Sequence, residues 1–133
     1  MDLDAARQVL RSQNRAVLST LRADGTPQMS PVVATVDDAG RVIISTSGGT
    51  AKVRNARRDP RAWLCVLPDE FFGRWIQVGG EVEVVEQPEA LDLLVDYYRR
   101  VAGEHEDWDE YRAAMRRENR VLVRVHLTRA GPG

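Results

Sequence analysis

The stretch Ser47-Gly48-Gly49-Thr50-Ala51-Lys52-Val53-Arg54-Asn55-Ala56-Arg57-Arg58 gathers the groups best suited to holding an anion. Two glycines precede a helical pattern, and glycine lets a backbone approach a ligand closely. Thr50 stands at the N-cap position, so Lys52 and Arg54 fall in the first turn. Positive charge there opposes the helix dipole, at a cost of about 0.3–1 kcal/mol per charge when nothing is bound. An anion at that terminus removes the conflict, because main-chain N–H groups, the Ser47 and Thr50 hydroxyls and the Lys52 ammonium would converge on it. The bland alternative is a solvated basic helix whose arginines pair with Asp59, Glu81 or Glu83. No glycine-lysine-serine or glycine-lysine-threonine step is present, so the segment is not a P-loop. Lys52 is the chain's single lysine; a GC-rich genome accounts for the arginine bias elsewhere.

A second cue is Pro27-Gln28-Met29-Ser30-Pro31-Val32. A strand with small polar and apolar residues around a proline offers a flat, gently polar shelf for a planar heterocycle. An ordinary edge strand explains the same residues. Other chemistry finds little support. His105 and His126 lack a ligand partner at metal-binding spacing, so no metal site is expected. Cys65 sits among apolar neighbours and reads as a buried, inert thiol. Ser30 has no nucleophile-elbow setting. Phe71, Phe72 and Trp75 could cover a ring, or pack a core or a dimer.

The elements that must position these groups follow from periodicity. Leu3, Ala6, Val9 and Leu10 predict a short amphipathic helix. Strands are expected over 15–21, 28–36, 41–46, 62–67, 74–85 and 120–128, with turns at Asp24-Gly25 and Asp38-Ala39-Gly40. Pro31 cannot donate to a ladder, which makes its position an edge, a bulge or a ligand-facing gap. Helices are expected over 51–58, from Pro88 to Val101 with Gly103 closing it, and after a capping pair Asp107/Glu110 through Arg117. Hairpins dominate and no regular crossover helices separate the strands, so the expected fold is a β-barrel of about six antiparallel strands with flanking helices. Residues 1–133 read as a single domain, since the length suits one modest core.

Basic and acidic residues number 19 and 20, so no basic excess suggests a nucleic-acid partner. No apolar run reaches membrane-spanning length, and the acidic opening Met1-Asp2-Leu3-Asp4 is unlike a secretory signal. With one cysteine, a reducing cytoplasm is the expected location.

Taken together, three stretches resemble the split-barrel flavin-binding superfamily that includes pyridoxamine 5′-phosphate oxidase. They are Asp24–Val32, Ala51–Arg61, and Tyr98-Arg99 through Gly103–Tyr111. The third resembles the deazaflavin-dependent oxidoreductases of that superfamily, which are actinobacterial and use coenzyme F420. This resemblance implies a cytoplasmic homodimer with cofactor sites at the subunit interface. Lys52, Asn55, Thr50, Ser47 and the adjoining Val53 would hold the phosphate and tail. Gln28, Ser30, Pro31 and Val32 would line the ring, and Trp75 or Gln77 would approach from the partner. The implied activity is hydride transfer between reduced F420 and a small unsaturated or carbonyl acceptor, with no catalytic residue assigned. Alternatives are an FMN-dependent enzyme resembling pyridoxamine 5′-phosphate oxidase, a non-catalytic F420 carrier or sensor, and a structural dimer with an empty cleft. The chain departs from the family pattern at Thr50, where a basic residue is common, and in its non-aromatic tail 128–133.

Overall fold

Apolar alternation along six segments closes them into a barrel. In the computed structural model, which describes residues 1–132, the strands are β1 (Arg15–Leu21), β2 (Pro27–Val36), β3 (Val42–Ser47), β4 (Arg61–Val66), β5 (Ile76–Val85) and β6 (Arg120–Gly131). The helices are α1 (Leu3–Ser12), α2 (Ala51–Arg58), α3 (Ala90–Ala102) and α4 (Trp108–Arg117). Strand order around the closed barrel is β1-β2-β3-β6-β5-β4, each pair antiparallel. The expected architecture holds, with its turns at Gly25 and Gly40 in the positive-φ conformation.

Inward-facing residues such as Leu18, Val36, Ile44, Leu64, Val78 and Val123 form the barrel core. Helix α1 delivers Ala6, Val9 and Leu10 at the end where β1 begins, and α2 delivers Val53 and Ala56 at the end where β1 finishes. Each large aliphatic side chain buried this way contributes about 1.5–3 kcal/mol against exposure. A second cluster lies outside the barrel, where Ile43 and Leu122 of β3 and β6 meet Leu94, Val95, Tyr97, Tyr111 and Met115 of α3 and α4.

Local chemistry sets the helix ends. Asp2 and Asp107 accept from the N–H groups of Ala5 (2.7 Å) and Glu110 (3.1 Å), and Gly103 (φ 83°) ends α3. Helix α3 begins at Ala90 rather than Pro88, because a turn intervenes in which Ala90 N–H bonds the Glu86 carbonyl.

The tail also differs from expectation. Strand β6 runs to Gly131, with Gln77 opposite Gly131 and Gly79 opposite Arg129. A bulge between Gly79 and Gly80 lets the seam close, and a Cβ at Gly80 would lie 1.9 Å from the His126 carbonyl oxygen. The tail is therefore barrel wall as far as Gly131.

Two features of the register prepare a site. Strand β2 pairs with β1 from Pro27 to Val33, but with β3 only from Ala34 to Val36. Its first half thus has a free edge, which is the split in the barrel. Ala34 N–H bonds the Asn14 carbonyl, so by alternation the backbone of 29, 31 and 33 points away from β1. Pro31 falls on that free edge, where a missing N–H costs nothing.

The second feature is a bare face. Across β2, β1, β4 and β5 the outward rows are Met29-Ser19-Trp63-Gly79 and Pro31-Val17-Cys65-Gln77. Cys65 is consequently half-buried on this outer face rather than buried in the core. Met29 and Val33 are 64% and 44% exposed, and Trp75 just before β5 is 41% exposed.

Candidate cofactor-binding site

The split in the barrel is lined from one side by β2. Gln28, Ser30 and Val32 share the face of Ala34 and Val36 and point inward, opposite Thr20, Leu18 and Ala16 of β1. Gln28 Oε1 and Ser30 Oγ are buried and lack any hydrogen-bond partner among the described residues. An unpaired buried polar atom costs roughly 1–3 kcal/mol, so these two neighbouring inward positions call for a partner, either a ligand or an ordered water. Pro31 points the other way, onto the bare outer face. Tyr97 closes the far end of the free edge by donating its hydroxyl to the Val33 carbonyl at 2.8 Å, and burial raises its phenol above the ordinary value.

The other wall comes from the loop after β3. Thr50 occupies the N-cap position of α2, yet its hydroxyl donates back to the Ser47 carbonyl (3.1 Å) and caps nothing. The N–H groups of Ala51, Lys52 and Val53 form no main-chain hydrogen bond among the described residues. They are the free donors of the first helical turn. Gly48 packs against the Asn119 turn, and a Cβ there would come 2.8 Å from Asn119 Nδ2.

Lys52 is half-buried and forms no ion pair or side-chain hydrogen bond among the described residues. Partial burial, and then the neighbouring Arg120 charge, pull its ammonium below the ordinary lysine value. The arginines of α2 behave differently. Arg57 pairs with Glu86 at 2.6 Å, Arg54 bonds the Gly49 carbonyl, and Arg58 bonds the Leu21 carbonyl and Asn55 Oδ1. Asp59 is taken by Arg61, and Glu83 by Arg124 and His126. A solvated, neutralised helix describes Arg57 but not Lys52.

Not every expected residue reaches the site. Val53 is fully buried in the core, so only its main-chain N–H is available. Asn55 is 5% exposed and spends its amide on Thr20 Oγ1 (3.2 Å) and Arg58 (2.8 Å). Trp75 and Gln77 lie on the outer face, away from the inward row of Gln28, Ser30 and Val32. Around Gln77 a crevice of about 280 Å³ is lined by Trp63, Gly79, Arg129 and Pro132, among others. Sequence reasoning missed Arg120: Ser47 Oγ accepts from its Nη1 at 3.3 Å. The only sequence signal was an arginine opening the last strand, indistinguishable from its many arginine neighbours.

Among the described residues no cluster of histidine, cysteine and carboxylates could hold a metal ion. Among the described residues no helix is long and apolar enough to cross a membrane.

The chain is similar to known proteins over most of its length. The family described as pyridoxamine 5′-phosphate oxidase matches residues 3–131. The F420H2-dependent biliverdin reductase of Mycobacterium tuberculosis is 30% identical over 128 residues, covering 95% of this chain and 84% of that protein. A conserved hypothetical protein of Mycobacterium tuberculosis superposes with a TM-score of 0.76 at 28% identity, over 98% of this chain and 82% of the other. A structure described as an F420 reductase shares the fold, with a TM-score of 0.72 at 24% identity over 94% of each chain.

Proposed function

Because the chain belongs to the pyridoxamine 5′-phosphate oxidase family, we propose that it is an oxidoreductase transferring a hydride between reduced coenzyme F420 and a small unsaturated or carbonyl acceptor. The observation that carries this reading is the conjunction of an unpaired Lys52 with the orphaned Gln28 Oε1 and Ser30 Oγ. A cation and two unsatisfied polar atoms are what a phosphate-bearing planar heterocycle would meet. The F420H2 dependence of the 30%-identical relative supports the deazaflavin over other rings.

The residues present fit such a group. Lys52 and the free first-turn amides of α2 hold the phosphate. Ser30 Oγ can donate or accept and Gln28 Oε1 accepts, which suits the mixed carbonyl and N–H edge of a flavin-type ring. Val32 supplies apolar contact to one ring face. Trp75 and Gln77 of a second copy cover the ring and exclude water, in a homodimer formed through the bare face of Met29, Val33 and Trp75. When bound, the deazaflavin supplies the hydride chemistry, and the protein contributes binding and orientation. No side chain of this chain is assigned a proton-transfer role.

The test is a titration of purified protein with F420 and with FMN, followed by absorbance under a panel of acceptors. Tighter binding of F420 and its acceptor-dependent oxidation are expected. Preferential binding of FMN would overturn the cofactor, and a saturated protein that reduces no acceptor would overturn the enzymatic reading in favour of a carrier.

A further inference from the structure

We propose that Arg120 is a second anion-binding residue of this site, set with Lys52 about the Ser47–Thr50 loop so that the pair accommodates two negative charges. The proposal rests on reading Lys52 as an anion site, and it adds a residue and a charge requirement.

Position comes first. Asn119 takes the left-handed conformation (φ 48°), which asparagine tolerates, and turns the chain from α4 into β6. That turn places Arg120 directly opposite Ser47 in the β3–β6 ladder. The backbone there is fixed, since Gln87 Nε2 donates to the Arg120 carbonyl at 3.1 Å. The guanidinium stands with Nη1 3.3 Å from Ser47 Oγ, in electrostatic reach of Lys52 and of Tyr97 and Tyr111.

Satisfaction comes next. Arg120 Nε is buried with no partner, and Arg120 enters no ion pair among the described residues. Arg124 is the informative contrast. It projects from the same face of β6 two pleat repeats further on; its Nε is also buried without a hydrogen bond of good geometry, but Glu83 Oε1 lies 3.0 Å from it, within ion-pair distance. One half-buried arginine of the strand has a carboxylate and the other has none. A desolvated cation without a counter-ion is costly, and here it sits close enough to Lys52 to depress that ammonium as well. Two unpaired cations at the lip of a cleft whose opposite wall carries unsatisfied polar atoms are relieved together by a ligand with two negative charges.

Two chemical sources would meet the requirement: a phosphate monoester carrying both charges, or a phosphodiester followed by a carboxylate. FMN presents the first and F420 with its glutamyl tail the second. Binding of four probes by fluorescence separates them: F420, its chromophore lacking phosphate, FMN and riboflavin. Arg120→Gln should weaken the phosphate-bearing probes about ten- to hundredfold and leave the phosphate-free probes unchanged. Arg120→Lys should restore most of that loss. Loss confined to F420 assigns the phosphodiester-carboxylate source, and loss for FMN the monoester.

Unchanged affinity in Arg120→Gln, or equal weakening of phosphate-bearing and phosphate-free probes, would overturn the proposal. If the wild-type protein binds none of the four, the cofactor reading falls, and inorganic phosphate alone decides Arg120. Phosphate should then raise the Tm of the wild type but not of Arg120→Gln, and equal shifts or none would overturn it. Should Arg120→Gln not fold, wild-type protein is treated with phenylglyoxal and Arg120 modification followed by peptide mass spectrometry. Phosphate should protect Arg120; modification at an unchanged rate would sink the idea.

Discussion

Asn55 Nδ2 donates to Thr20 Oγ1 at 3.2 Å while its Oδ1 accepts from Arg58 at 2.8 Å, so one buried amide fastens α2 to the end of β1. Asn55 thereby braces the helix that carries Lys52. Asn55→Ala leaves the buried Thr20 hydroxyl without its donor. A loss of about 1–3 kcal/mol in stability is expected, with a Tm lower by several degrees in calorimetry. Cofactor affinity should fall with it, because the helix loses its anchor. Unchanged Tm with reduced affinity would instead mean that Asn55 contacts the ligand.

Lys52→Ala should behave in the opposite way. The ammonium makes no internal bond among the described residues and stands near the Arg120 charge. Its removal is expected to leave unfolding free energy within about 0.5 kcal/mol of the wild type, or slightly above it. Affinity for a phosphate-bearing cofactor should drop about ten- to hundredfold. A destabilised variant with intact affinity would return Lys52 to a structural role.

The depressed Lys52 value has a pH signature. An anion binds the charged ammonium, so affinity is steady on the acidic side and falls as pH rises through the lowered value. The fall should begin below the 10.5 of an ordinary lysine and approach about tenfold per pH unit. In the free protein the sign is reversed: the charged form is disfavoured by folding, so its small penalty is present below the lowered value and fades as pH climbs toward 10.5. Isothermal titration across the alkaline range checks the binding limb, and Lys52→Ala should abolish it.

The six strands and four helices were readable because each follows a local rule. Period-two alternation marks β6, apolar residues at helical spacing mark α1, and a capping pair marks α4. Lys52 stood out because a cation in a first turn contradicts the dipole. What could not be read was anything that depends on register. Whether Pro31 faces the split or the outer wall turns on its pairing with Val17. The role proposed for Arg120 depends on lying opposite Ser47, 73 residues away in the chain. Asn55 carries a residue type equally suited to ligand contact and to bracing, and its burial, which the sequence does not show, favours bracing.

Tyr111 ties the outer helices together, donating its hydroxyl to the Leu94 carbonyl at 2.9 Å. Burial pushes its phenol up to about 12 from 10.0. Folding therefore favours the neutral form. The stabilisation is fully present below pH 10 and is lost as pH rises from there through about 12. Urea unfolding at increasing alkaline pH should show that decline. Tyr111→Phe should flatten it and cost about 1 kcal/mol at neutral pH. A variant with the same alkaline slope as the wild type would place the titration elsewhere.

The outer rows across β2, β1, β4 and β5 carry Met29 and Val33 at 64% and 44% exposure, and no helix joins these rows to its own core. Apolar side chains exposed together on a sheet face are expected to be covered by another surface, and the same face holds Trp75 and Gln77. The double substitution Met29→Asp with Val33→Asp puts two carboxylates into that contact while leaving the inward row of Gln28, Ser30 and Val32 untouched. Light scattering should report half the wild-type mass, and circular dichroism an unchanged fold. Cofactor affinity should fall as well, since Trp75 and Gln77 would no longer arrive from the second copy. A monomer that binds the cofactor as tightly as the wild type would show that one chain completes the site, and would remove both residues from it.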